Sequence, residues 1–367
     1  MTALHIDFET RGVLDLRKVG LHNYARHPDT DVWCMAWAVG DGEPTIWCSP
    51  MSESMRVRSH VVSGGAVVAH NAPFELEIWN QIMVPRYGWP PLKPEQTYCT
   101  MAQAYAMGLP GNLEDAALAM GLHVLKDAEG RALMLRMCRP RSIDNGKAVW
   151  WDDADKLARL YAYCQQDVRV ERELHKRLMP LSNKERKVWL MDYAINQRGV
   201  AVDVATAKAA VTMTDLVKEH CNLEIAQVTQ GAVQTVTALA ALKEWIATKG
   251  VACESLAKQA LTDLLDGELP ADVRRVLVLR QEAGKTSTAK LDRLGDMAGT
   301  DGRLRNMYQY HGAATGRWAG RAVQTANLPR DIPEPEVVEK ILALVRAGNY
   351  EAIDAIYGPP MTMISKC

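Results

Sequence analysis

The chain has 367 residues, 48% of them hydrophobic, with 43 Lys and Arg against 44 Asp and Glu and a formal net charge of −1. That is the composition of a soluble globular protein with enough apolar material for two or three domains, and a near-neutral chain is no polycation, so any nucleic-acid surface has to be local. None of the eight cysteines forms a C-x-x-C pair or stands at zinc-ligand spacing from a histidine. They read as small buried hydrophobes of a reducing cytosol.

Met1–Thr10 already carries acidic residues and has no long apolar run, so it is no signal peptide. No stretch approaches the roughly 20 apolar residues of a spanning helix, so no membrane role is expected. The expected location is the cytoplasm, a bacterial host's if the gene is phage-borne.

In chain order, Ala3–Phe8, Val32–Val39, Thr45–Cys48 and Ala66–Ala69 predict strands. Helical patterns begin near Phe74, Thr97 and Leu113, and a long helix runs from about Asp153 to Leu178. Its stripe of Leu157, Leu160, Cys164, Val168 and Leu174 has helical spacing. This alternation predicts an α/β domain over 1–180. Pro180 stops the helix. From Ser182 to about Ala298 strand signals nearly vanish, and Glu185–Gln197, Ala205–Val228, Val236–Thr248 and Ala271–Met297 predict helices. From Asp301, Gly312, Gly316, Gly320 and Asn327-Leu328-Pro329 predict an ordered loop with short strands.

Three carboxylate signals stand out in the first half. Asp7 and Glu9 flank Phe8 at the end of the first strand, and residues two apart on a strand share a face. Such a pair suits a hard cation, although a solvated strand end would look the same. His70-Asn71-Ala72-Pro73-Phe74-Glu75 reads as a polar turn followed by a helix with Pro in its first turn. Glu75 could face the sheet end, or simply favour the helix macrodipole. On the long helix, Tyr163 and Asp167 lie four apart and are neighbours, a spacing that is also common without function.

D-x-E, H-N-x-x-F-E and Y-x-x-x-D in this order resemble the three exonuclease motifs of the DEDD superfamily. Tyr stands four before the last Asp, as in the tyrosine subclass; the histidine subclass would have His where Ala162 stands. The resemblance implies a ribonuclease H-like fold and 3′→5′ hydrolysis of nucleic acid with two divalent cations, Mg²⁺ or Mn²⁺. It implies that Asp7, Glu9, Glu75 and Asp167 hold the metals, Asp7 bridging them and Glu75 acting through water. It further implies that Tyr163 orients the attacking water and that His70 and Asn71 contact the terminal nucleotide. Many members carry Asp where Glu75 stands.

Beyond residue 181 the chain resembles phage-type family A, DNA polymerase I-like, polymerases. The carrying stretches are Trp189–Asp203, Lys285–Lys290, and Tyr310–Trp318 with Asn327–Arg330. The resemblance implies a thumb-like helical region over 181–300 and the start of a palm over 301–367. Lys285, Lys290, Arg317, Gln324 and Asn327 would then contact DNA; the family usually has Gln where Ala326 stands. Between Arg274 and Arg330 eleven basic residues stand against four acidic ones, a sign bias that suits phosphates. Gly284-Lys285-Thr286 is no phosphate loop, since position 279 is Leu and helix precedes it.

The polymerase D-Y-S-x-I-E-like and H-D-E-like motifs are absent, and the chain stops at Cys367, shortly before the first is expected. The expectation is therefore an N-terminal portion carrying a proofreading 3′→5′ exonuclease for DNA replication. Its partners would be single-stranded 3′ ends and primer–template duplex, and its oligomeric state is open, with a monomer expected. Two other readings remain: a catalytically idle DNA-binding fragment, and a stand-alone exonuclease acting on RNA ends.

Overall fold

The computed structural model describes residues 2–51, 54–122, 127–284, 289–313, 315–324 and 331–367. The chain divides into two compact units, Met1–Ala201 with Met297–Gln324, and Val202–Asp296 with Thr325–Cys367.

The first unit is built on a mixed sheet that has five strands among the described residues, in the order β3-β2-β1-β4-β5. These are β1 (Leu4–Arg11), β2 (Asp31–Val39), β3 (Thr45–Trp47), β4 (Val67–Ala69) and β5 (Thr97–Cys99). β2 runs antiparallel to β1 and β3 antiparallel to β2, while β4 and β5 are parallel to β1. The central strand is covered on both faces. Leu4, Ile6 and Phe8 enter a core with Leu76, Trp79 and Trp89. The alternate residues, His5, Asp7 and Glu9, therefore turn to the other face. On that face β2 contributes Cys34, Ala36 and Ala38, which pack against Cys164 and Val168 of the long helix. Small side chains there let a helix lie close to the strands.

The helices of this unit are α1 (Leu16–Arg26), α2 (Met55–Val62), α3 (Ala72–Ile78), α4 (Val84–Tyr87), α5 (Thr100–Ala106), α6 (Leu113–Ala119), α7 (Ala128–Met137), α8 (Ala154–Arg177) and α9 (Asn183–Arg198). A hairpin of β6 (Ser142–Asp144) and β7 (Lys147–Val149) precedes α8 and turns at Asn145-Gly146, both at positive φ, as a tight hairpin requires. The helix expected from Thr97 begins only at Thr100. Thr97-Tyr98-Cys99 instead extends the sheet beside β4, a run too short to show any period in sequence.

Texture divides the sequence near 181, but α9 packs with the first unit. Trp189 is buried in the β1 core. The Asn196 amide accepts from Tyr308 N–H at 2.9 Å and donates to the Tyr308 carbonyl at 3.0 Å. The strands β8 (Val200–Ala201) and β9 (Arg303–Leu304) pair, as do β10 (Tyr308–Gln309) and β11 (Ala319–Gly320).

The second unit is helical: α10 (Val204–Val228), α11 (Leu239–Thr248), α12 (Lys258–Asp266), α13 (Ala271–Ala283), α14 (Ala289–Met297), α15 (Pro335–Arg346), α16 (Tyr350–Tyr357) and α17 (Pro360–Lys366). Met213, Val217, Cys221 and Ile225 recur every four residues along α10 and meet Val276 and Leu277 of α13 and Ile341 of α15. The single helix expected over Ala271–Met297 is two helices: α13 ends at Ala283 with Gly284 as its cap. Among the described residues no helix is long and apolar enough to cross a membrane.

Trp79 is fully buried, meets Phe8 and Trp89 edge-on, and donates its indole N–H to the Pro90 carbonyl at 2.8 Å. Trp79→Ala is expected to cost about 3–5 kcal/mol in a urea unfolding transition. A loss below about 1 kcal/mol would contradict the packing described.

Candidate metal centre

Three chain segments converge at the carboxyl end of β1. Asp7 and Glu9 project from β1 toward α8, and pairing with β2 shifts register immediately after Glu9. A bulge at that point re-aims the strand end. β4 runs parallel to β1 with Leu4 opposite Val67, so the end of β4 arrives level with Asp7. There Asn71 adopts a left-handed conformation, φ 70°, which Asn tolerates better than most residues, and the chain enters α3 with Pro73 in the first turn. Glu75, only 3% exposed, follows one turn later. α8 supplies Tyr163, Cys164 and Asp167 from the other side of the sheet end.

Asp7, Glu9, Glu75, Tyr163 and Asp167 line one cleft of about 670 Å³. Ligand atoms of Asp7, Glu9 and Cys164 all lie within 4.8 Å of one another. Glu75 and Asp167 line the cleft outside that tightest group. The Cys164 thiol donates to Asp7 Oδ2 at 3.3 Å, and the Tyr163 hydroxyl hydrogen-bonds the Asp167 carboxylate. Gly130 makes room for that tyrosine: a Cβ there would fall 2.7 Å from its ring. The space continues past Asp167 and Tyr163 into a second depression bordered by Glu114 and Gln166. On the other side Arg17, Asn71 and Phe74 are shared with a third, reaching Asp192 and Tyr308.

Burial dominates the electrostatics. It raises Asp7, Glu9 and Glu75 well above the usual carboxylate range, and mutual repulsion adds to the effect: Asp167 acts on Asp7, and Asp7 on Glu9 and Glu75. Burial likewise pushes Asp167 up to about 7, against the pull of the Tyr163 hydrogen bond. Among the described residues none of the four carboxyls forms an ion pair with a basic side chain. Glu75 Oε2 is buried with no hydrogen-bond partner. Clustered carboxylates without a counter-charge either keep their protons or take a cation. The four carboxyl groups, with the unpartnered Glu75 oxygen among them, fit a hard divalent ion.

His70 is tied inside the chain: Nδ1 meets the Thr100 hydroxyl at 3.0 Å and Nε2 the Gly111 carbonyl at 2.9 Å. Both ring nitrogens are thereby engaged, and of the His70–Asn71 pair only Asn71 lines the cleft. Arg317 is exposed, its Nε 3.2 Å from Thr315 Oγ1, and Gln324 is exposed at a φ of 52°. Both belong to the first unit, whereas Lys290 lies in the second. Lys285 and Asn327 lie outside the described residues.

The basic excess between Arg274 and Arg330 is divided between the units and partly consumed within them. Arg274 donates to the Leu265 and Gly267 carbonyls, Arg275 pairs with Glu224, and Arg305 pairs with Asp301. A charge count along the sequence does not see these partners.

Sequence reasoning missed a polar layer behind the cleft. His5 Nδ1 lies 2.6 Å from Glu171 Oε2, both buried, and His175 Nδ1 lies 3.2 Å from Gln103 Oε1. The signal was available: His5 is two before Asp7 on one strand face, and Glu171 is four after Asp167 on one helix face.

No protein-family model matches the chain. It is 34% identical over 379 aligned residues to a DNA polymerase of Bacillus phage SP02, an alignment that takes in 100% of this chain. The chain is related to a phage DNA polymerase along its whole length. It spans 57% of that polymerase. Among solved structures, the POL domain of Pol1 from M. smegmatis, in complex with DNA primer-template and dNTP, matches with a TM-score of 0.53. That match covers 90% of this chain and 52% of the other at 15% identity, and at such identity the likeness to the polymerase domain is one of fold.

The Asp167 carboxyl holds its proton to about pH 7 in the folded chain, against an ordinary value of 3.8. The folded state therefore binds more protons than the unfolded one across that window, and stability falls as pH rises through it. In chelator, the melting temperature is expected to drop from about pH 5 to about pH 8, and Asp167→Asn to flatten the drop. A flat or rising profile in the unmutated protein would contradict the carboxylate burial.

Proposed function

We propose that the first unit is a metal-dependent 3′→5′ exonuclease of the DEDD tyrosine subclass, acting as the proofreading part of a family A DNA polymerase in replication. The observation that carries this reading is the convergence of Asp7, Glu9, Glu75, Tyr163 and Asp167 on one cleft. The strand order β3-β2-β1-β4-β5, with β2 antiparallel and β4 parallel to β1, supports a ribonuclease H-like fold. By the same reading, the helices after 181 form a thumb-like region to about 300 and 301–367 begins a palm, with primer–template DNA as partner.

Two divalent cations, Mg²⁺ or Mn²⁺, held by Asp7, Glu9, Glu75 and Asp167, would acidify a water and neutralise charge at the attacking and leaving oxygens of the phosphodiester. Tyr163 contributes position rather than basicity. Burial and the neighbouring carboxylates hold its hydroxyl protonated far above the usual range, so it orients a water by hydrogen bonding. Arg17 and Arg139 line the cleft and are placed to meet phosphates, although Arg139 is paired with Asp15 at 2.8 Å. Asn71 and Phe74 border the cleft where a terminal nucleotide would lie. An unpaired end reaches the site without the cost of breaking base pairs, so single strands are the preferred substrate.

Purified protein with Mg²⁺ or Mn²⁺ is expected to shorten 5′-labelled single-stranded DNA into a ladder that EDTA abolishes. Asp7→Ala is expected to lose several orders of magnitude in rate. Tyr163→Phe should lose about tenfold, the equivalent of one hydrogen bond. Cleavage persisting in EDTA, or equal losses in two folded variants, would overturn the assignment.

A further inference from the structure

Cys164 is absent from every role given so far, yet its sulfur sits among the carboxylates. It lies 3.3 Å from Asp7 Oδ2 and 3.4 Å from the Asp7 carbonyl, and its sulfur shares the 4.8 Å group with Asp7 and Glu9. In a tetrahedral site with metal–sulfur and metal–oxygen bonds of about 2.3 and 2.0 Å, two such ligand atoms stand about 3.5 Å apart. The thiol and the Asp7 carboxylate already hold nearly that span. A fourth donor faces the same cleft: Glu75, 3% exposed, has an oxygen with no hydrogen-bond partner.

We propose that Asp7, Glu9 and Cys164 form a mixed oxygen–sulfur site that takes one thiophilic divalent ion, Zn²⁺ or Cd²⁺, on the carboxylates otherwise available to Mg²⁺. Binding itself follows from the donor geometry; only its consequence, displacement of the hydrolytic cation, rests on the exonuclease reading. The chemistry is ligand exchange without redox change. The Cys164 S–H bond breaks, its proton leaves to solvent, and a sulfur–metal bond forms. Mg²⁺ demands oxygen donors and has little use for sulfur, whereas a thiolate selects Zn²⁺ and Cd²⁺. Cys164 itself is fully buried and the cleft is lined by Asp7 and Glu9, so an ion entering through the cleft meets the carboxylates first. The same atoms thus attract the working cation and retain the wrong one.

The test titrates Cd²⁺ into the full chain without DNA and follows the sulfur-to-cadmium charge-transfer absorption of the tightest equivalent. The band is expected in the unmutated protein and in Cys138→Ser, which removes the thiol that lines the cleft. It should vanish in Cys164→Ser and in Asp7→Asn. A band unchanged in Cys164→Ser, or lost only in Cys138→Ser, would overturn the site. Should Cys164→Ser fail to fold, X-ray absorption of the unmutated protein with one equivalent of Zn²⁺ decides. One sulfur at about 2.3 Å supports the site, and a shell of oxygen and nitrogen alone refutes it. Neither readout needs hydrolysis. An inactive protein that keeps the band sinks the exonuclease reading alone, and an active one whose band ignores Cys164 sinks this inference alone.

Discussion

Four carboxyl groups share the end of one central strand with no basic side chain paired to any of them among the described residues, and the first unit is arranged around that fact. Removing a carboxylate from water without a partner is among the larger costs a fold can carry. The cost is met here by geometry that cannot easily relax. β1 is clamped between β2 and β4. Its apolar residues anchor in the tryptophan-rich core, and Cys34, Ala36 and Ala38 leave α8 close enough to bring Asp167 and Tyr163 over the strand end. The left-handed Asn71 and Pro73 start α3 where Glu75 turns inward.

Behind the cleft, the buried His5–Glu171 pair ties β1 to α8, and the contact of His175 with Gln103 ties α8 to α5. His5 and His175 also meet edge-on, with ring centroids 5.6 Å apart. β1 and α8, which contribute Asp7, Glu9 and Asp167, are thus tied together through His5, two residues from Asp7, and Glu171, four residues from Asp167. A site that must keep its shape while its charges repel one another needs such support.

Much of this was legible in sequence because the relevant periods are short. Asp7 and Glu9 follow from the strand period of two, Tyr163 and Asp167 from the helix spacing of four, and Glu75 from Pro73 opening a helix. What was not legible depends on tertiary partners. Thr97–Cys99 joins the sheet only because β4 is beside it. Trp189 and Asn196 hold α9 to the first unit although the sequence texture changes at Pro180. His70, expected at the nucleotide, has its ring nitrogens engaged by Thr100 and Gly111, which lie 30 and 41 residues away. Cys164 looked like one more apolar residue of a helical stripe, and only the approach of α8 to β1 reveals what its sulfur touches. The basic run after Arg274 lost much of its meaning once Glu224 and Asp301 were seen beside two of its arginines.

On the reading proposed, the buried carboxylates bind a divalent cation. Mn²⁺ titrated into chelator-free protein at neutral pH, with free Mn²⁺ followed by electron paramagnetic resonance, tests it without reference to any substrate. The unmutated chain is expected to remove Mn²⁺ from solution, and a folded Asp7→Asn variant is expected not to. No uptake by the unmutated chain, or equal uptake by both, would contradict it.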